Sequence, residues 1–216
     1  MSQFNALYDF YIAMNKCLEY LNKHVFDEQF KEVVFMIQGE RAIGLNTYGV
    51  YWPDKWKIND KTYSEISLTA EMLTNNDLNE LLNTLIHEMI HFKANLLGIR
   101  DTDKSGKHHN KEFKKLGEEI GCVFGEKNKK IGYSNFKFNS ELQQIVNNCI
   151  KELELEKFIG EFKRIRAPKQ KTIKKFFKYV CPACNATIRA TLGAEIICGT
   201  DGVVYEFRDK MPIDED

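Results

Sequence analysis

The stretch NDLNELLNTLIHEMIHFKANLLG, residues 76–98, decides the fold of the first half of the chain. Asp77, followed three residues later by Glu80, matches a capping box, and Gly98 is a typical helix end. Between them, apolar residues recur at helical spacing: Leu81, Leu82, Leu85, Ile86, Met89 and Ile90. The stretch therefore predicts a helix whose apolar side packs on the core of the protein.

Two histidines, His87 and His91, lie four residues apart at the centre of this helix. Side chains at i and i+4 share one helix face, so both imidazoles can bind one metal ion. Glu88 can reach a metal-bound water and accept its proton. Zinc lowers the pKa of such a water to about 7, and the resulting hydroxide can hydrolyse an amide. A solvated polar face is the alternative interpretation, but the neighbouring faces of this helix are strongly apolar.

A catalytic zinc needs a third protein ligand, which we seek in SGKHHNKEF, residues 105–113. A second helix is predicted over about 109–120, and its apolar stripe consists of Phe113, Leu116 and Ile120. His109 precedes Phe113 by four residues and shares this stripe, whereas His108 falls on the polar side. We therefore favour His109. Glu112 is a rival, because a carboxylate can complete a two-histidine site, but it also lies on the polar side.

The other elements are short β-prone segments and two further helices. The β-prone segments are 32–38, 46–52 (which Pro53 is expected to end) and 63–70, whose alternation predicts a half-exposed strand. Helical spacing covers 3–23 and 141–166, and Ala167-Pro168 is expected to end the second of these helices. Helices and short strands in this order predict an α+β fold.

The motifs resemble those of SprT-like (Spartan-type) zinc metallopeptidases. Residues 82–93, LNTLIHEMIHFK, are similar to the H-E-x-x-H motif of that family, and residues 108–113, HHNKEF, to its H-G-x-x-F motif. The resemblance maps the metal ligands onto His87, His91 and His109, and the general base onto Glu88. Asn110 stands where the family usually has Gly, a mild departure because Asn tolerates unusual backbone angles.

This resemblance implies a zincin-like core, with the metal at the junction of two helices and a small sheet. It also implies that a peptide binds along an edge strand, for which EISLTA, residues 65–70, is the expected segment. Spartan-type relatives cleave proteins crosslinked to DNA, so DNA-associated proteins are the substrates implied by analogy.

The C-terminal part contains a second candidate metal site. CPAC, residues 181–184, places two thiolates on a tight turn, and CGTD, residues 198–201, is its expected partner. The zinc ribbon of the family normally has a cysteine where Asp201 stands. Asp can bind zinc at about 2.0–2.2 Å, so Cys181, Cys184, Cys198 and Asp201 form a candidate site for structural zinc. A degenerate ribbon that folds without metal is the alternative. Cys17, Cys122 and Cys149 are interpreted as buried apolar residues.

Charge and composition limit the remaining possibilities. The net charge is zero, but residues 163–178 contain eight Lys or Arg and no acidic residue. This basic segment, with Phe176 and Phe177 near its end, is typical either of nucleic-acid contact or of a solvated linker. No apolar run is long enough to span a bilayer, and the N-terminus does not resemble a signal peptide. We therefore expect a cytoplasmic protein with free or metal-bound cysteines.

Taken together, these patterns predict three parts: a SprT-like zincin metallopeptidase domain (1–166), a basic linker (167–178), and a zinc-ribbon-like module with an acidic tail (179–216). The predicted function is zinc-dependent endopeptidase activity on a protein substrate, with DNA as a candidate partner through residues 163–178 and no membrane partner. The alternative is a zinc-ribbon nucleic-acid-binding or adaptor protein whose peptidase domain is silent. The intact H-E-x-x-H motif argues against that alternative.

Overall fold

The computed structural model describes residues 3–39, 42, 47–74, 77–158 and 176–209. The chain divides into two compact units, Met1–Ile165 and Arg166–Asp216. Helices and strands are mixed, which confirms the predicted α+β class. Most of the basic segment 163–178 and the acidic end of the chain lie outside the described residues. No helix in the described part of the chain is long and apolar enough to cross a membrane.

The described residues of the first unit include the α-helices α1 (Gln3–Val25), α2 (Leu78–Leu96), α3 (Lys111–Glu119) and α4 (Ser140–Glu152). Short 3₁₀ helices follow at Ala70–Thr74 and Leu155–Phe158. Asp77 caps α2 as predicted, because its side chain accepts a hydrogen bond from the backbone N–H of Glu80. The buried side of α2 matches the predicted stripe: Leu81, Leu82, Leu85, Ile86, Met89 and Ile90.

The predicted helix over 141–166 is too long. α4 ends at Glu152, and Glu154 takes a positive φ of 50° that interrupts the helix before the 3₁₀ turn. Apolar spacing continues past this point because Leu155 and Phe158 are also buried. Periodicity alone therefore hides the break, and the residues after 158 lie outside the described ranges.

The first unit contains a three-stranded sheet in the order β1-β3-β2 and a two-stranded sheet of β4 and β5. The strands are β1 (Val33–Gln38), β2 (Gly49–Ile58), β3 (Lys61–Thr69), β4 (Cys122–Phe124) and β5 (Phe136–Phe138). β3 pairs in parallel with β1 and antiparallel with β2. One face of the larger sheet packs on α2, where the ring of Tyr51 stacks on Phe92 at 5.3 Å.

β3 is the central strand, so two predictions about it are wrong. Residues 64–69 are all buried, not half-exposed. Segment 65–70 is not an edge, because β3 is hydrogen-bonded on both sides. The alternation suggested an exposed face because Glu65 and Ser67 are polar. In the structure both are buried on the outer face of the sheet, where they are hydrogen-bonded to each other at 2.6 Å. The outer strands are β1 and β2.

β2 also runs further than predicted. Pro53 does not end the strand, which continues to Ile58 with a shift in register between Trp52 and Trp56. A proline is tolerated here because β2 is an outer strand of the sheet, where the missing N–H breaks no ladder bond. The bulge bends the strand where its sequence had suggested an end.

The second unit is a small antiparallel sheet in the order β7-β6-β8, formed by β6 (Phe177–Val180), β7 (Thr187–Ala190) and β8 (Glu206–Phe207). Phe177 is buried in this unit, 5.8 Å from the ring of Phe207, whereas Phe176 is 57% exposed. One of the two phenylalanines at the end of the basic segment therefore has a packing role. Cys17, Cys122 and Cys149 are free and buried in the first unit, as their sequence context predicted.

Candidate metal centre

Three imidazoles converge in the first unit. His87 and His91 lie one turn apart on α2, and His109 approaches them from the segment before α3. The three Nε2 atoms are mutually 3.0, 3.1 and 3.2 Å apart. His108 and Glu112, the two rivals for the third position, are not members of this cluster. Glu112 is exposed on the outer side of α3.

These three contacts are not hydrogen bonds, because each imidazole uses its other nitrogen as a donor. His109 Nδ1 lies 3.0 Å from the carbonyl oxygen of Ile131, and His91 Nδ1 lies 2.6 Å from Asp101 Oδ2. A carbonyl oxygen only accepts, so His109 carries its proton on Nδ1. His87 is hydrogen-bonded to the backbone of Ser134. The neutral imidazoles therefore aim lone pairs at one point, an arrangement that a cation stabilises.

The spacing of the cluster fits zinc. With Zn–N bonds of about 2.0–2.1 Å, an ideal tetrahedron places two nitrogens about 3.3–3.4 Å apart. The observed spacing is slightly smaller, so an ion at this bond length would see the three nitrogens at about 95–105° to one another. The three nitrogens would therefore fill three positions of a tetrahedral zinc ion.

Burial sets the proton affinities of the cluster. It lowers the pKa of His87 well below the usual value and that of His109 to about 4, and repulsion between the histidines adds to both shifts. Burial also acts to lower the pKa of His91, but the hydrogen bond to Asp101 and the nearby carboxylates outweigh it and raise the net pKa.

His109 is held by backbone, not by a helix. α3 begins at Lys111, so the backward projection of the helix to His109 is wrong. The residue bridges Thr102 and Gly132 instead, and its N–H donates to the carbonyl of Ile131 at 3.0 Å. Gly132 has φ of 70°, and a Cβ there would collide with the carbonyl oxygen of His109. This close approach requires glycine.

Asn110 also has a role that the sequence did not predict. Its φ of −94° is ordinary extended backbone, so tolerance of unusual angles is not the reason for asparagine here. Its side-chain oxygen accepts hydrogen bonds from the N–H groups of Glu112 and Phe113, at 2.7 and 3.3 Å. Asn110 is therefore the N-cap of α3 and fixes that helix directly after the third histidine.

Glu88 lies beside the cluster and against β2. Its side chain is only 5% exposed, and a Cβ added at Gly49 would lie 2.7 Å from its Oε1. Burial raises the pKa of Glu88 to about 7, although the charge of His91 and a hydrogen bond from the backbone of Tyr51 oppose the shift. A carboxylate with this pKa can take and return a proton near neutral pH.

The match with a known family decides the identity of this unit. A model of the SprT-like family matches residues 14–140, which is more than half of the 216 residues. The chain belongs to the SprT-like family. No curated protein and no solved structure matches the chain. The matched stretch includes all three histidines and Glu88, and it ends before the second unit.

A second cluster lies in the part of this SprT-like protein that the family match does not cover. The ligand atoms of Cys181, Cys184, Cys198 and Asp201 all lie within 4.8 Å of one another. Cys184 Sγ is 3.8 Å from Cys198 Sγ, and Asp201 Oδ2 is 3.4 and 3.3 Å from the sulfurs of Cys181 and Cys198. Tetrahedral zinc sets these separations at about 3.8 Å for S–S and about 3.5 Å for S–O. The four groups therefore fit one zinc ion.

Sequence reasoning missed the groups that orient the histidines. Asp101, Ile131, Ser134 and Gly132 all lie outside the recognised motifs. Ile131 and Ser134 act through backbone carbonyls, which no side-chain pattern can reveal. Asp101 offered one signal, an acidic residue ten positions after His91, but many acidic residues lie at such distances from a histidine.

Replacing the third histidine should remove the metal from the cluster. We expect His109→Ala to lose the zinc that the histidine cluster binds and His108→Ala to keep it, because only His109 Nε2 reaches the other two. Metal content per chain, measured by atomic emission with Cys181→Ser and Cys184→Ser present in every sample, isolates this site. Retention of zinc by His109→Ala would refute the assignment.

Asp101 should affect the metal without touching it. We expect Asp101→Asn to weaken zinc binding by about 10–100-fold, because His91 loses a charged partner at Nδ1. Competition with a chromophoric chelator measures this affinity in the same background, with Cys181→Ser and Cys184→Ser. Asp103→Asn is the matched control, since Asp103 is exposed and its side chain bonds to Ser105. Equal affinities for the two variants would rule out the role of Asp101.

Proposed function

We propose that this SprT-like protein is a zinc metalloendopeptidase with a zincin-like core. The observation that carries the proposal is the convergence of three imidazole lone pairs beside a buried carboxylate of raised pKa, that of Glu88. The family supports a zinc metallopeptidase-type domain. His87, His91 and His109 are the proposed ligands of the catalytic ion.

When bound, zinc would act as a Lewis acid and would lower the pKa of a water molecule toward neutral pH. Glu88 would accept a proton from the water that attacks the carbonyl carbon of the peptide bond, and would hold it on its carboxyl group. The same carboxyl then gives the proton to the departing amine nitrogen when the C–N bond breaks. Gly49 leaves room for this carboxylate because it has no Cβ. The ring of Phe113 packs against all three imidazoles, with centroid separations of 4.6–4.8 Å.

The substrate is proposed to lie along β2 as an added strand. β2 is an outer strand, no described strand pairs with its free edge, and its first residues lie against Glu88. Backbone N–H and C=O groups on such an edge can pair with any extended peptide, so affinity requires no particular side chain. This replaces segment 65–70, which is central in the sheet, as the proposed binding edge.

DNA-associated or DNA-crosslinked proteins are the proposed substrates, by analogy with Spartan-type relatives. The basic segment 163–178 supports this proposal through its eight basic residues, and the exposed Phe176 at its end is suited to stacking on a base. A nucleic-acid adaptor with a silent peptidase domain is the competing proposal. The preserved Glu88 disfavours it, because a binding protein needs no buried general base.

Removing the general base tests the mechanism. We expect Glu88→Gln to retain zinc and to lower peptide hydrolysis by at least about 100-fold, because glutamine cannot accept the proton. Turnover of a fluorogenic peptide and metal content per chain are measured on the same sample. Full activity of Glu88→Gln would overturn the mechanism, and an unmodified chain that holds zinc, binds DNA and cleaves nothing would favour the adaptor.

The second cluster is proposed to hold a structural zinc ion with three thiolates and one carboxylate. We expect the unmodified chain to bind two equivalents of zinc and Asp201→Ala to lose one of them, whereas Asp201→Cys keeps both. Glu195→Ala is the control, since Glu195 is an exposed acidic residue of the same unit. A single equivalent in the unmodified chain, held by the histidines, would show that this module folds without metal.

A further inference from the structure

The two tryptophans of the chain lie together on the outer face of the larger sheet. Both are in β2, where Trp52 pairs with Glu65 and Trp56 pairs with Tyr63. Directly paired residues of antiparallel strands point to the same side of a sheet, and Tyr63 and Glu65 are two residues apart. The two indoles therefore share one face, on which they are 39% and 40% exposed.

Trp56 is held in place by a buried carboxylate. Its Nε1 donates to Glu65 Oε2 at 2.6 Å, and Glu65 is only 2% exposed. The other oxygen, Oε1, accepts from Gln38 Nε2 at 2.9 Å and from Ser67 Oγ at 2.6 Å. Three neutral donors therefore stabilise this buried carboxylate, and one of them is the indole N–H of Trp56.

Trp52 is ordered by a cation. The Nζ of Lys55 lies 4.5 Å from the centroid of the Trp52 ring, across the bulge that follows Pro53. Two aromatic rings that are fixed before a partner arrives lose little conformational entropy on binding. Half-exposed but ordered indoles are suited to contact with a partner, since tryptophan is enriched among residues that dominate binding.

This aromatic face continues the edge proposed to receive the substrate. Gly49 lies against Glu88, and Trp52 follows three residues later on the same strand. Pro53 has no N–H, so a peptide paired with β2 can follow it over residues 49–52 before the bulge interrupts the ladder. Alternate side chains of an added strand point to opposite faces. Those on the outer face would lie beside Trp52, with Trp56 beyond.

We propose that Trp52 and Trp56 form a docking platform for an apolar or aromatic side chain of an extended peptide substrate. The platform would select substrates a few residues away from the bond that is cut. The charges of the hairpin nearly cancel, with Lys55, Lys57 and Lys61 against Asp54 and Asp60, which favours a peptide over a nucleic acid as the occupant. This inference rests on the proposed function, because it takes β2 as the substrate edge.

Because the chain has two tryptophans and both are in the platform, their fluorescence reports on this surface alone. The test uses the full zinc-loaded chain with Glu88→Gln and tryptophan-free peptides in which one leucine moves through an alanine background. We expect a saturable blue shift with leucine at one or two adjacent positions, and about fivefold tighter binding than the all-alanine peptide, since a half-buried leucine gains about 1 kcal/mol. Trp52→Phe and Trp56→Phe assign the signal to each ring.

Kinetics on the Glu88-containing chain supply a second readout. We expect Trp52→Ala and Trp56→Ala to raise KM for the leucine peptide several-fold, so that its advantage over the alanine peptide shrinks, with little effect on kcat. Tyr8→Ala is the matched control, because Tyr8 is an aromatic residue of α1 that is 65% exposed. Circular dichroism verifies that each variant is folded, and Trp56→Phe, which keeps a ring, should recover part of the advantage.

The outcomes separate this inference from the proposed function. An undiminished leucine advantage in both alanine variants overturns the platform while peptidase activity stands. A leucine-dependent blue shift in Glu88→Gln, together with no peptide cleavage by the zinc-loaded chain that retains Glu88, supports the platform and overturns the proposed function. A tryptophan signal that responds to a single-stranded oligonucleotide at physiological salt, and not to any peptide, overturns the peptide as the occupant.

Discussion

The rest of the first unit depends on one electrostatic constraint: three imidazole lone pairs must be held about 3 Å apart with no proton between them. Without a cation this arrangement is repulsive, and only a rigid frame can maintain it. The helix supplies two histidines at fixed spacing. The third is locked by backbone bonds to Ile131, and Gly132 permits the close approach. The second candidate metal site has a different donor set, with three cysteines and Asp201.

Glu88, the proposed base, is positioned by the same strand that is proposed to bind the substrate. Glu88 lies on α2 beside the histidines, but its environment is completed by β2, through the room left at Gly49 and the backbone of Tyr51. A change in β2 would therefore alter both the proposed substrate edge and the proton affinity of Glu88. Trp52 and Trp56 lie on the same strand, on either side of its bulge. The bulge therefore affects both the shape of the strand edge and the positions of the two rings.

Local patterns predicted local structure well. The extent and cap of α2 and its buried side were predictable because capping and helical periodicity act within a few residues. The predictions were wrong where contacts between residues distant in sequence determine the structure. The central position of β3 could not be deduced from its alternating residues, because Glu65 and Ser67 are buried on the outer face of the sheet, where they are hydrogen-bonded to each other. Pro53 was wrongly taken as a strand end, since whether proline is tolerated depends on the absence of a neighbouring strand.

The sequence by itself indicated the candidate chemistry: two histidines one turn apart, a carboxylate between them, and His109, which lies with the other two although the helical reason for choosing it does not hold. It also determined the composition of the cysteine cluster, including Asp201. Only the tertiary structure decided geometry: which nitrogen of each imidazole is free, which strand is an edge, and that both tryptophans share a face. These properties depend on backbone carbonyls and strand order, which side-chain identity does not encode.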